Sequence, residues 1–175
     1  MLTAVERLRA RVQTQGNVEP IHMKTMRAWK ENGTLRYLGI THYHAGAYAD
    51  LEKLLKTREY YFVQFNYSLA EREAEARLLN VAAESGTAVI INRPFAQGEL
   101  FPRVRGKALP AWAAEFECTS WAKFFLKYIL GHPAVTCVIP GTGKLAHLTD
   151  NLAAGRGRLP DAAMRRRMAA HLESL

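Results

Sequence analysis

Four short runs of β-branched and aromatic residues alternate with helical patterns along this chain, and that alternation limits its fold more than any other feature. The runs are TLRYLGI at 34–40, YFVQFNYS at 61–68, TAVIIN at 87–92 and VTCVI at 135–139. Helical spacing covers 47–55, 71–84, 119–130 and 145–154, with one more helix at 23–32 ahead of the first run and another at 161–175. Strands that alternate with helices in this way form parallel β/α units joined by right-handed crossovers. Four units fall short of an eight-stranded barrel and leave two strand edges and an open inner sheet face. The expected fold class is therefore α/β, a partial (half) TIM barrel of four or five parallel βα units. The open face needs a cover, so self-association into a homodimer or higher homo-oligomer is expected to complete it.

Local signals refine this outline. Met26 and Trp29 anchor the helix at 23–32, and Gly33 suits its C-terminal cap. Gln64 and Asn66 stand two apart on the second strand and so share a face. If that face lines a cleft, they offer an amide pair to a planar ligand edge; in packed core they must bond to each other. Leu78, Leu79 and Val81 give the helix at 71–84 its apolar side, and Phe124, Phe125 and Leu126 are core candidates at 119–130. The Gly/Pro-containing segment RPFAQGELFPRVRGKALPAW at 93–112 is long enough to be a functional lid or a locally disordered loop. His132-Pro133 reads as a turn, and Asp161 as the cap of the last helix. Val5 and Leu8 mark a short helix at 3–11, followed by a polar strand or loop at 11–19.

Composition excludes several classes. An apolar share of 49% with 23% charged residues is that of a globular domain. No apolar run reaches membrane-spanning length, and MLTAVERLRAR is too polar for a secretion signal. Cys118 and Cys137 do not make a disulfide framework, which points to a reducing, cytoplasmic setting. The net charge of +8 is spread along the chain, and Arg165-Arg166-Arg167 reads as a solvated helix face, so no nucleic-acid partner is expected. No metal site is expected either. The fourth strand ends at Pro140-Gly141 and leads through Thr142 and Lys144 into a helix start. That arrangement suits a phosphate group, although a plain β-to-α turn has the same pattern. It is not a triphosphate-binding loop, because Leu145 follows Gly143-Lys144 and Val138 stands five before Gly143.

From about residue 22 to 160 the chain resembles the C-terminal half of the aldo-keto reductases. WKENG at 29–33 with RYLGITHY looks like the helix and fifth strand that end in the family's Gly-Val-Ser-Asn-Phe signature. VQFNYS, IINRPFAQGEL with Pro94, Phe95 and Gly98 in register, AKFFLKYILGHPAV and VIPGT are similar to later family segments. The resemblance implies a (β/α)8 ancestry and a nicotinamide cofactor, NADP or NAD. Thr41 and His42 take the positions of the amide-binding Ser and Asn, and Gln64 that of the glutamine that contacts the nicotinamide carboxamide. Asn92 stands where many members place the aromatic residue that stacks on nicotinamide. Thr142, Lys144, His147, Asp150 and Asn151 fall in the adenosine-phosphate region. His147 replaces an arginine that often grips the 2′-phosphate, and a neutral imidazole lacks its permanent charge and paired donors.

The catalytic Asp, Tyr and Lys of the family's first three strands have no counterpart, and Gln15 lies at or beside the family's His position. The chain thus reads as a single truncated domain, 1–175, with a divergent segment at 1–21. Carbonyl reduction needs an acid beside the hydride donor. Tyr43 and Tyr67 are the candidate phenols. Three functions are compatible with these residues: an oxidoreductase or a relic of one, a non-catalytic self-associating nucleotide-binding or interaction protein, and a hydrolase using Ser68 or Ser120 with His42 or His44. The last lacks a Gly-x-Ser-x-Gly elbow.

Overall fold

A computed structural model describes residues 23–175. The helix expected at 3–11, the stretch at 11–19 and Gln15 lie outside the described residues. Helix α1 (Met23–Glu31) ends at Gly33, whose φ of +81° lets the chain turn back so that Leu35 N–H reaches the Trp29 carbonyl at 2.9 Å. Strand β1 (Gly39–Thr41) follows, then α2 (Tyr48–Leu55), β2 (Phe62–Asn66), α3 (Leu78–Glu84) and β3 (Ala88–Asn92). The chain continues through α4 (Leu100–Arg103), α5 (Trp121–Leu130), β4 (Val135–Val138), α6 (Leu145–Ala153) and α7 (Ala162–Glu173). The four strands form one parallel sheet in the order β1-β2-β3-β4, as the alternation requires.

Period-two alternation places the core on one side of this sheet. Val63 and Phe65 of β2 and Val89 and Ile91 of β3 are fully buried, and Tyr48 of α2 meets Phe65 edge-on at 5.8 Å. Phe62, Gln64, Ala88 and Ile90 occupy the opposite face and keep partial exposure. The layer of helices continues with α5, capped by the Ser120 hydroxyl, which accepts from Lys123 N–H at 3.1 Å. Phe124, Phe125 and Leu126 are buried there as expected, and so is Ile129. Gly131 ends α5 against the last loop, where an added Cβ would lie 2.4 Å from the Pro160 carbonyl oxygen.

Several expectations change. The first strand begins at Gly39, because the helix cap and the turn after it take up the residues from Gly33 onward. The helix expected at 71–84 is split. The Ser68 hydroxyl accepts from Ala70 and Glu71 N–H, a 3-10 turn spans Glu73–Glu75, and the φ of −151° at Arg77 separates it from α3. The segment at 93–112 is not unstructured. It folds into a 3-10 turn, α4 and a second 3-10 stretch (Ala111–Phe116), with Ala96, Leu100, Val104, Ala113 and Phe116 buried. Finally, β4 is not a buried strand. Among the described residues it is an edge strand, with Thr136 and Cys137 exposed.

The arginine run also departs from a solvated face. Arg165 is buried, donates to Glu75 Oε1 at 2.5 Å and to the Tyr67 hydroxyl, and sends Nε to the Tyr128 carbonyl at 3.0 Å. Tyr67 and Tyr128 also donate to Glu75. This cluster ties α7 to α5 and to the segment after β2. Arg167 lies over the Trp112 ring at 4.4 Å, and Arg166 is exposed. Sequence spacing did not reveal this, because the partners stand 37 to 98 residues away.

Candidate functional site

The residues that follow the strands gather at the C-terminal edge of the sheet. β1 and β2 remain paired past Thr41, with His42 N–H donating to the Gln64 carbonyl at 2.8 Å. Asn92, at the end of β3, donates its side-chain amide to the His42 carbonyl at 3.1 Å. Arg93 donates to the Tyr43 carbonyl at 2.9 Å and pairs with Glu71 at 3.1 Å. The edge is thus cross-linked from β1 to β3 by side chains of the third strand. Arg93, Ala96 and Gln97 all hold positive φ (52°, 47° and 56°), a concentration of strained backbone in the turn after β3.

The rim contains buried polar atoms without hydrogen-bond partners: Asn66 Oδ1, Asn92 Oδ1, Glu71 Oε2 and Arg93 Nε. Asn66 and Asn92 are register partners on neighbouring strands, so two unsatisfied acceptors stand side by side. Asn66 is only 2% exposed, and such orphaned acceptors call for water or a ligand donor. His42 is buried, and its Nδ1 accepts the Tyr43 N–H at 3.0 Å, which puts the proton of the neutral ring on Nε2. Burial, then the neighbouring His44, holds its pKa below the usual value. Tyr43 stacks on His42 at 5.4 Å and is 43% exposed.

The expected residues separate into two groups. Thr41, His42, Gln64 and Asn92 come together at this rim, joined by Asn66, Glu71 and Arg93. Of these three, the sequence pattern singled out only Asn66. Thr142, Lys144 and His147 are exposed on the turn after β4 and the start of α6, whereas Asn151 is buried in that helix. The Ile139 N–H donates to the Ile91 carbonyl at 2.9 Å, so this turn leaves the sheet beside the end of β3. Lys144 occupies the N-cap position of α6 with no side-chain cap, and its own N–H donates to the Thr142 hydroxyl at 3.2 Å.

Two expected roles fail on burial. Tyr67 is fully buried, its hydroxyl is held by Glu75 and Arg165, and burial raises its pKa far above the ordinary value. Its hydroxyl is therefore not presented at the rim as a proton donor. Both serines are occupied by local capping: Ser68 is fully buried in its turn, and Ser120 caps α5 while donating to Asp150 at 2.5 Å. A serine–histidine hydrolase site is not assembled. Among the described residues no group of three or more His, Cys, Asp or Glu is placed to hold a metal.

The family profile described as "Aldo/keto reductase family" matches residues 20–171. The chain belongs to the aldo/keto reductase family. Among solved structures it is similar to the apo form of aldo-keto reductase AKR11C1 from Bacillus halodurans, at 21% identity and a TM-score of 0.66, covering 91% of this chain and 58% of that one. It is also similar to an aldo-keto reductase from Klebsiella pneumoniae in complex with NADPH, at 18% identity and a TM-score of 0.64, with coverage of 89% and 54%. The chain therefore spans little more than half the length of the reductases it matches, and the shared fold is a partial TIM barrel. Comparison with curated proteins finds no match. None of the described helices is long and apolar enough to cross a membrane.

Proposed function

We propose that this aldo/keto reductase half-domain is a self-associating cytoplasmic protein that binds a nicotinamide nucleotide along the C-terminal edge of its sheet. The observation that carries this reading is the adjacent pair of buried, unpartnered acceptors, Asn66 Oδ1 and Asn92 Oδ1. A carboxamide presents two N–H donors, and burying an acceptor without a donor costs about 1–3 kcal/mol. Gln64 and Thr41 stand on the same edge to complete contacts to the amide. The exposed turn before α6 offers the Lys144 cation, and the start of that helix its first N–H groups, for the phosphates. His147 lacks the permanent charge and paired donors of a guanidinium, so NADP and NAD both fit.

A bound nicotinamide supplies hydride. The chain's own residues position the amide, hold His42 neutral and leave Tyr43 as the exposed phenol of the rim. Tyr43 is the candidate proton donor to a carbonyl oxygen. Self-association is part of the reading, because Phe62, Gln64, Ala88 and Ile90 on the inner sheet face keep partial exposure.

Titration with NADH and NADPH, followed by nicotinamide fluorescence, tests the proposal. Saturable binding that weakens in Gln64→Ala supports it. Absence of a saturable signal for either nucleotide, with concentrated protein, removes it.

A further inference from the structure

Among the described residues the sheet ends in an unpaired parallel edge on each side, β1 on one and β4 on the other. These edges are different surfaces, so two copies related by a twofold axis along the strands form two identical β4–β1 junctions. All eight strands then run parallel in a closed ring. We propose that a second copy of this chain closes the half-barrel in this way, and that the two polar rims face one another across a single shared cleft. This rests on the self-association proposed above and adds its geometry and its consequence for the site.

Three sets of exposed apolar side chains lie where such a closure needs them. On the inner face, Phe62 and Ile139 are exposed, Ile139 by half, beside the partly exposed Ala88 and Ile90. On the β4 side, Leu145, Leu148 and Leu152 form an i, i+3, i+7 stripe on α6, with Leu145 78% and Leu152 64% exposed. A helix whose large residues point away from its own core is shaped to pack on another element. On the β1 side, Tyr37 and Tyr61 form a tilted pair at 4.9 Å and remain about half exposed.

At about 200 Å² per whole side chain, these groups expose on the order of 700 Å² per copy. Spread over three separate sets, that area approaches the roughly 800 Å² per partner of a stable interface. The arrangement also completes the site. All strands point the same way, so the rims of both copies lie at one end of the ring. Each rim, with its orphaned Asn66 and Asn92 oxygens, then gains a wall that the described residues of one copy do not supply.

The register offers a test. Thr41, Gln64, Ile90 and Cys137 form one row across the sheet, and Cys137 is exposed on the edge strand. Rows in an eight-stranded barrel climb by about eight residues per circuit, about four per half. The row through Cys137 therefore enters the second copy near Tyr37 or Ala45, with Thr41 as the unshifted position. Neighbouring strands lie about 4.8 Å apart, within disulfide range.

Sedimentation of the full chain is expected to give twice the 19.7 kDa monomer mass. Oxidation of separate Tyr37→Cys, Thr41→Cys and Ala45→Cys variants, each checked by circular dichroism for a native fold, is expected to yield a covalent dimer in at least one. Adding Cys137→Ser should abolish that link. A monomer at every concentration overturns both the self-association and this arrangement. A dimer that none of the folded variants links through Cys137, or that links only Cys137 to Cys137, overturns the arrangement and leaves self-association standing. Nucleotide titration is read independently of each result.

Discussion

Asn66 and Asn92 face each other in register on adjacent parallel strands, and each leaves its side-chain oxygen buried without a hydrogen bond. Asn92 is nevertheless fixed, because its amide nitrogen donates to the His42 carbonyl. This is a rigid acceptor surface without a donor, and most of the expected outcomes below begin from it.

Replacing Asn66 with Ala removes an unsatisfied acceptor and leaves its backbone carbonyl bonded to the Tyr48 hydroxyl at 2.6 Å. Stability should change by less than about 1 kcal/mol, because no intramolecular side-chain bond of Oδ1 is lost. Affinity for NADPH should fall about tenfold or more, the equivalent of about 1.4 kcal/mol. Urea unfolding and fluorescence titration of the same preparation measure the two effects. A large loss of stability with unchanged affinity would make Asn66 a structural residue.

Arg165→Ala leaves the Glu75 carboxylate without its cation and α7 without its tie to the body. Breaking a buried pair costs about 3–5 kcal/mol. Glu75 retains about a third of its side-chain exposure, so a loss of about 2–3 kcal/mol is expected. Urea midpoints of Arg165→Ala and the exposed control Arg166→Ala make the comparison. Equal, small shifts would mean that α7 is held by its apolar contacts alone.

Acid should weaken the fold in two stages. His42 and His132 have folded-state pKa values below 6.5, lowered first by burial. Their stabilising contribution is complete above 6.5 and is lost as pH falls below that value. Burial pulls the Glu75 carboxyl upward, but hydrogen bonds from Tyr128 and Tyr67 and the Arg165 charge outweigh it and hold its pKa below 4.5. Its contribution is complete above about 4.5 and is lost as pH falls through the folded value. Urea midpoints measured from pH 8 to 4 should decline from about 6.5 downward. A midpoint that rises on acidification would contradict the burial of both imidazoles.

The two thiols should react differently. Cys118 is buried and its pKa is pushed up to about 12 by that burial, against the pull of Lys127 and Lys123. Cys137 is exposed on β4. A thiol reagent should modify one cysteine per native chain, more slowly at high protein concentration if the inner face becomes covered. Rapid reaction of both would show that the packing around α5 is looser than described.

The strand–helix alternation was legible because four short runs rich in β-branched and aromatic residues are separated by segments with helical apolar spacing. Thr41, His42, Gln64 and Asn92 came from the resemblance to the aldo-keto reductases, and they stand near one edge because parallel strands end at one level. What remained hidden was long-range or conformational. Arg165 reads as one of three surface arginines until Glu75, Tyr67 and Tyr128 converge on it. The residues at 93–112 read as loop because their fold depends on positive φ at Arg93, Ala96 and Gln97, which residue type does not announce. Val135 and Val138 suggest a buried strand, but burial on both sides needs a neighbour that the described sheet lacks.

Proton–nitrogen correlation NMR of the side-chain amides during NADPH addition tests the account most directly. The Gln64, Asn66 and Asn92 amide signals, together with the backbone signals of Gly143 and Lys144, should shift along saturating curves with one shared affinity. Saturating shifts confined to other surfaces, with these five unmoved, would contradict it.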